Sequence, residues 1–293
     1  DIRRILSYSI VNQVGFMIVG IGIGTELAIN GTSAHAFSHI IYKGLLLMSA
    51  GSVLYVTGKR KCTDVGGLYK TMPITAACGI IGAFAISAFP FTSGFISKSM
   101  IVESSYIEGL EIIWYFLLIG SAGVFLHAGI KFPWFVFFHR DRKLEATDPP
   151  IFMIVPMVSL SFICIILGIF PNLLYILLPY SVDYIPYTGN HIVSQLHLLL
   201  FSGLAFFMAL KYLERTLTIT LDIDYLYRRK YTFIKIIFSK IVSYFVSIIE
   251  HFKHTKINKN LYLIENTLLN QSSISIMLSV ITTIIILVFL LNI

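Results

Sequence analysis

The sequence predicts an all-α fold, a polytopic bundle of transmembrane helices with one broken helix and an amphipathic helix lying in the cytoplasmic interface. Three observations predict it. Hydrophobic residues make up 56% of the 293 and charged residues 13%, with a mean hydropathy of +0.82, whereas soluble domains carry about 25% charged residues. Apolar stretches of the ~20 residues that a helix needs to cross the hydrocarbon core recur along the chain, separated by short polar connections. Lysine and arginine gather in alternate connections, the charge signature of a multi-pass protein.

Apolar runs near 5–28, 33–57, 73–106, 110–138, 151–179, 191–212 and 273–292 give seven expected crossings. The third is interrupted. Pro90 stands in mid-run and is followed by Phe91, Thr92, Ser93 and Gly94, so the helix is expected to break there. Backbone freed at membrane depth is tolerated only inside protein or beside a cavity, which marks Pro90 and Gly94 as a helix-break of functional interest.

With this scheme, one side of the membrane receives Arg3, Arg4, Lys59, Arg60, Lys61, Lys70, Arg140, Arg142, Lys143 and the ten basic residues from Lys211 to Lys259, in all 19 of the 22. The other side receives none, but holds Glu26, Glu103, Glu108, Glu111 and Asp183. The basic side is expected to be cytoplasmic, in a cell inner membrane. The net charge of +7 is thus a topology signal, and no nucleic-acid partner is expected.

Residues 225–254 are apolar enough to resemble another span, yet Thr232, Lys235, Ser239, Ser243, Ser247, Glu250 or His251, and His254 form one polar stripe at helical spacing. That pattern suits a helix lying in the interface. The expected organisation is a translocating membrane domain over 1–213, a basic cytoplasmic segment with this helix over 214–272, and a terminal crossing over 273–293. Residue 1 is Asp and no signal peptide precedes the first span, so the chain reads as a piece of a longer protein. Cys62, Cys78 and Cys164 have no metal-ligand or redox spacing and read as small core residues.

The three remaining basic residues, Lys43, Lys98 and Lys131, all fall inside expected crossings. His35, His39 and Lys43 stand at i, i+4, i+8, stacked on one helix face over roughly two turns, about 12 Å at 1.5 Å per residue. Three proton carriers in a row make a wire, and an ionisable residue within the membrane is functional by default. The ordinary alternatives are an interhelical hydrogen bond for a histidine and snorkelling for a lysine; Lys43 is too central to snorkel easily. Lys98 follows the Pro90 to Gly94 break directly, where it can exchange protons with water, neutralise the orphan carbonyls of the half-helix, or do both. His127 and Lys131 repeat the i, i+4 pattern, but Lys131 precedes Pro133 by two residues near the cytoplasmic end, so snorkelling competes there.

No Gly-rich phosphate loop, Ser/His/Asp arrangement or iron–sulfur cysteine spacing is present, and His35 and His39 on one face cannot clamp a haem. No catalytic residue, cofactor or metal is expected.

The strings DIRRILSYSIVNQVGFM at 1–17, HAFSHIIYKGLLLMSAGSV at 35–53, GGLYKTMP at 66–73 and SAFPFTSGFISKS at 87–99 resemble the antiporter-type subunits shared by respiratory complex I and the multisubunit Mrp-type cation/proton antiporters. Beyond the first hundred residues the resemblance rests on GIKFPWFVFF at 129–138 and LLPYSVDYIPYT at 177–188, which look closer to the D-type antiporter subunit. The resemblance implies a row of lysines and histidines relaying protons along the membrane midplane, with half-channels opening through broken helices. His35, His39 and Lys43 match the relay helix, and Lys98 matches the lysine of the second broken helix. It also implies a preceding inverted repeat, bearing a glutamate and another lysine, that is not in this sequence. The expected partners are the other membrane subunits of a complex, the N-terminal half or its separate gene product, protons, and Na+ or K+. Three functions stay open: a subunit of a cation/H+ antiporter, a proton-pumping subunit of an NADH–quinone oxidoreductase, and a non-conducting scaffold or decayed remnant that keeps the fold without transport.

Overall fold

The computed structural model describes residues 1–213, and their regular structure is entirely helical. The elements are α1 (Ile2–Ile23), α2 (Glu26–Thr57), α3 (Pro73–Ile86), α4 (Ser93–Ile107), α5 (Glu111–Val124), α6 (Lys131–Pro133), α7 (Ile151–Ile169), α8 (Pro171–Tyr175) and α9 (Gly189–Met208). Five stretches are long and apolar enough to cross a membrane, 2–23, 26–57, 111–138, 151–169 and 189–208. The interfacial helix expected over 225–254 and the crossing expected over 273–292 lie outside the described residues.

Capping sets several helix limits and corrects the boundaries expected from hydropathy. α1 starts at Ile2 rather than residue 5 because Asp1 accepts from the N–H groups of Arg3 and Arg4 at 3.0 and 3.2 Å. It stops at Gly24, whose φ of 76° is left-handed. α2 begins at Glu26 rather than 33, with Thr25 Oγ1 accepting from Ala28 N at 3.4 Å, so the first turn between crossings is two residues long. The run 151–179 is not one helix. α7 ends at Ile169 because Pro171 cannot continue it, and α8 is a separate short turn. α9 covers 189–208 instead of 191–212, with Thr188 Oγ1 accepting from His191 N at 3.3 Å.

The crossing 111–138 is continuous but not uniformly α-helical. π-helical turns at Phe125–Ile130 and Trp134–Phe138 flank α6. Pro133 removes one N–H and its ring pushes against the carbonyl four residues back, and the wider turns relieve both.

α2 packs against α1, α3, α4 and α7. Small residues allow these approaches, as membrane helices require where lipid gives no hydrophobic drive; a Cβ added at Gly31 on α2 would stand 2.9 Å from Ile101 and Met100 of α4. At one end of the bundle the connections clasp one another. Ile2 N donates to Arg60 O at 2.8 Å and Arg142 N to Gly66 O at 3.3 Å. Asp148 caps α3 through Ile74 N and Thr75 N at 3.1 and 2.9 Å, supplying acceptors that α3 itself lacks. Lys70 and Asp141 form an exposed ion pair at 3.2 Å, which raises the lysine pKa. Asp141 is held below its ordinary value by the Lys143 N–H first and Lys70 second. At the other end, Asn30 and Tyr180 exchange two bonds of 3.1 and 3.0 Å.

Candidate functional site

The expected break is present. α3 stops at Ile86 and α4 starts at Ser93, and between them Ala88 and Phe91 adopt φ values of 56° and 66°, a costly conformation for residues bearing a Cβ. The two half-helices approach so closely that a Cβ at Gly94 would collide with the Ala85 carbonyl, which accounts for glycine there. Carbonyls freed at the end of α3 are taken by side chains from elsewhere. Lys98 Nζ donates to Ile86 O at 2.7 Å, and Gln195 Nε2 from α9 donates to Ser87 O at 3.3 Å. The carbonyl-neutralising role expected for Lys98 is therefore realised.

Lys98 is 2% exposed and Lys43 is 4% exposed. Neither has a carboxylate within ion-pair distance among the described residues, although a lysine at the centre of a membrane helix costs about 3 kcal/mol on insertion scales. Lys98 Nζ also lies 5.0 Å from the Phe16 ring centroid, a favourable cation–π placement. Lys43 Nζ donates to Ser9 Oγ on α1, while Ser9 donates to Leu6 O at 2.8 Å. Both lysines make bonds in which nitrogen is the donor. An ammonium and a neutral amine can each make them, so the surroundings accept either protonation state.

His35 is fully buried and joins three helices. Its Nδ1 lies 2.9 Å from Ser97 Oγ on α4, and its Nε2 lies 3.1 Å from Gln13 Oε1 on α1. Tyr42 OH donates to the same Gln13 oxygen at 3.0 Å. His39 packs its ring against His35 with centroids 6.3 Å apart and edge-on to Tyr42 at 5.4 Å. Its Nε2 is buried without a hydrogen-bond partner among the described residues. The structure thus gathers His35, His39 and Lys43 along one stretch of α2, with Lys98 brought to the same region by α4.

His127 and Lys131 lie on the crossing 111–138 rather than on α2 or α4. His127 lies in a π-helical turn, so its spacing to Lys131 is not one α-helical step, and its Nε2 donates to Ile5 O of α1 at 3.1 Å. That is the interhelical bond expected as the ordinary role of a membrane histidine. Lys131 is half-buried.

Sequence reasoning passed over Ser9, which bonds Lys43, and over Gln13, Tyr42 and Ser97, which surround His35. A signal was present, since Ser9 and Gln13 are polar residues at i, i+4 within an apolar run, the spacing of one buried helix face.

These features define a multi-pass α-helical membrane protein with a broken helix and a buried cationic centre. Residues 1–126, which hold that centre, match the family described as NADH:quinone oxidoreductase/Mrp antiporter, TM. It is 37% identical over 118 residues to F(420)H(2) dehydrogenase subunit L of Methanosarcina mazei, covering 37% of this chain and 18% of that protein. It is 34% identical over 169 residues to the D-type subunit of the Na(+)/H(+) antiporter of Alkalihalophilus pseudofirmus, covering 57% of this chain and 34% of that one. The chain therefore spans about a third or less of these relatives' length. In fold it is similar to a chain of the Mrp complex from Dietzia sp., with a TM-score of 0.61 over 95% of this chain and 31% of the other, at 18% identity.

Proposed function

We propose that this chain is the proton-translocating part of a membrane subunit in a multisubunit monovalent cation/H+ antiporter, exchanging Na+ or K+ for H+. Lys98, His35, His39 and Lys43 make up the relay, each taking up and releasing a proton as its neighbours change charge. The observation that carries this reading is the pair of lysines buried at 2% and 4% exposure without a counter-charge among the described residues. A purely structural cation at that depth would be expected to keep a carboxylate, whereas one that gives up its proton does not need it. The likeness to an Na(+)/H(+) antiporter protein supports the choice of ions. His127 and Lys131 are a candidate continuation toward the end of the bundle where the basic connections meet, which we assign to the cytoplasmic side of a cell inner membrane. The other subunits of the complex and an N-terminal half bearing the first repeat are its partners.

The test is growth of an antiporter-deficient host at high Na+ and alkaline pH, with the chain expressed together with its partner subunits. Rescue is expected for wild type, with loss for Lys43→Ala and for Lys98→Ala; rescue by both variants would refute the relay. A second reading, a proton-pumping subunit of a quinone-linked dehydrogenase, is favoured by the likeness to F(420)H(2) dehydrogenase subunit L. Copurification with flavin and iron–sulfur subunits, together with no rescue by wild type, would select it.

A further inference from the structure

The amide orientations around His35 are dictated from outside the cluster. The Gly120 carbonyl on α5 only accepts, so Asn12 must present its amide nitrogen to it, 3.2 Å away. Asn12 Oδ1 is left facing Gln13, which donates Nε2 to it at 2.8 Å. Gln13 Oε1 then faces Tyr42 OH at 3.0 Å and His35 Nε2 at 3.1 Å. An amide oxygen only accepts, so His35 Nε2 must carry hydrogen. Tyr42 OH, 3.4 Å from that nitrogen, cannot donate to it once it is protonated and gives its hydrogen to Gln13. On the other side of the ring, Ser97 Oγ is 2.9 Å from Nδ1 and also 3.2 Å from Ser93 O and 3.4 Å from Gly94 O. Its single hydroxyl hydrogen can therefore go to the ring or to a backbone carbonyl.

We propose that Asn12 and Gln13 are positioning residues that hold His35 in its Nε2–H tautomer, so that the proton it gains and loses is carried on Nδ1, facing α4. The proposal rests on the relay reading above. With Nδ1 bare, Ser97 donates to the ring. When the ring takes a proton on Nδ1, it becomes an imidazolium, and the group that gave the proton up, for which Lys98 is the titratable neighbour on α4, loses one positive charge. Ser97 then accepts from Nδ1–H and turns its own hydrogen to the Ser93 carbonyl. The Gln13 amide oxygen does not take up the Nε2 proton at neutral pH, so the ring does not pass protons straight through. His35 instead stores one proton, charges and discharges from the α4 side, and ties its charge to the hydrogen bonding of the first turn after the break. The titratable groups around it are His39 and Tyr42 from α2 and Lys98 from α4.

Nitrogen-15 NMR of the full chain, histidine-labelled and held in lipid nanodiscs at a pH where the imidazole is neutral, reads the tautomer directly. The His35 signals are those lost in His35→Gln. In wild type, a protonated Nε2 and a bare Nδ1 are expected. Asn12→Leu frees the Gln13 amide to turn over, and the His35 signals are expected to move toward the Nδ1–H form. Gln13→Glu keeps an acceptor at the same place and is expected to retain Nε2–H, which also serves should larger changes at Gln13 disrupt folding. Nδ1–H as the resting form of wild type, or unchanged signals in Asn12→Leu, would overturn the proposal. Ion flux does not enter this readout. An Nε2–H ring in a chain that moves no protons would refute the relay while leaving the positioning intact; flux with the opposite tautomer would do the reverse.

Discussion

At the scale of single residues, the site couples chemistry to packing, so removing one side chain strands its partners. His35→Ala would leave Gln13 Oε1 short of one donor and Ser97 Oγ without its 2.9 Å ring contact; a buried polar group losing its partner costs about 1–3 kcal/mol. Thermal unfolding of the purified protein is expected to reflect a loss of that size. Lys98→Met would fill much of the same space but leave Ile86 O unsatisfied, at about 1–3 kcal/mol again, so it should lower both stability and transport. A variant of unchanged stability would mean that water or a neighbouring group replaces the ammonium at that carbonyl. The titratable residues were legible in the sequence because a charge in an apolar run is conspicuous. Their uncharged partners were not. Ser97 and Tyr42 are unremarkable in a membrane helix until the fold brings α1, α2 and α4 together.

At the scale of elements, the break between α3 and α4 is held by sequence on both flanks. Gly94→Ala would drive a methyl group into the Ala85 carbonyl, and the backbone shift needed to relieve it is expected to cost about 1–3 kcal/mol. Loss of folded protein in detergent, or a lowered unfolding temperature, would register it. Asp148→Ala would strip α3 of the acceptor for Ile74 N and Thr75 N, with an expected loss of about 0.5–2 kcal/mol as for other caps. Hydropathy located the five candidate crossings among the described residues, and Pro90 located the interruption. Helix limits were harder to read, because they depend on caps such as Thr25 and on Pro171, which ends an apolar run without changing its hydropathy. The π-helical turns around Lys131 were not readable at all, since they answer a local conflict at Pro133 rather than a periodicity.

At the scale of the whole molecule, the alternation of basic and acidic connections agrees with the way the 58–72 segment meets the start of α1 and the 139–150 segment meets 58–72, while Tyr180 sits by the start of α2 at the other end. Single cysteines placed at Arg60, Arg142 and Asp183, in a chain whose native cysteines are replaced, should label from the same side for the first two and from the opposite side for the third. Labelling of all three from one side would refute the crossing order. The account as a whole depends on Lys43 and Lys98 exchanging protons at depth in the bilayer. Proton flux through vesicles carrying the chain with its partner subunits tests this most directly, comparing wild type with Lys43→Gln and Lys98→Gln variants shown to be folded. Flux reduced at least tenfold in both variants is expected; wild-type flux in either would show that its lysine only supports the fold.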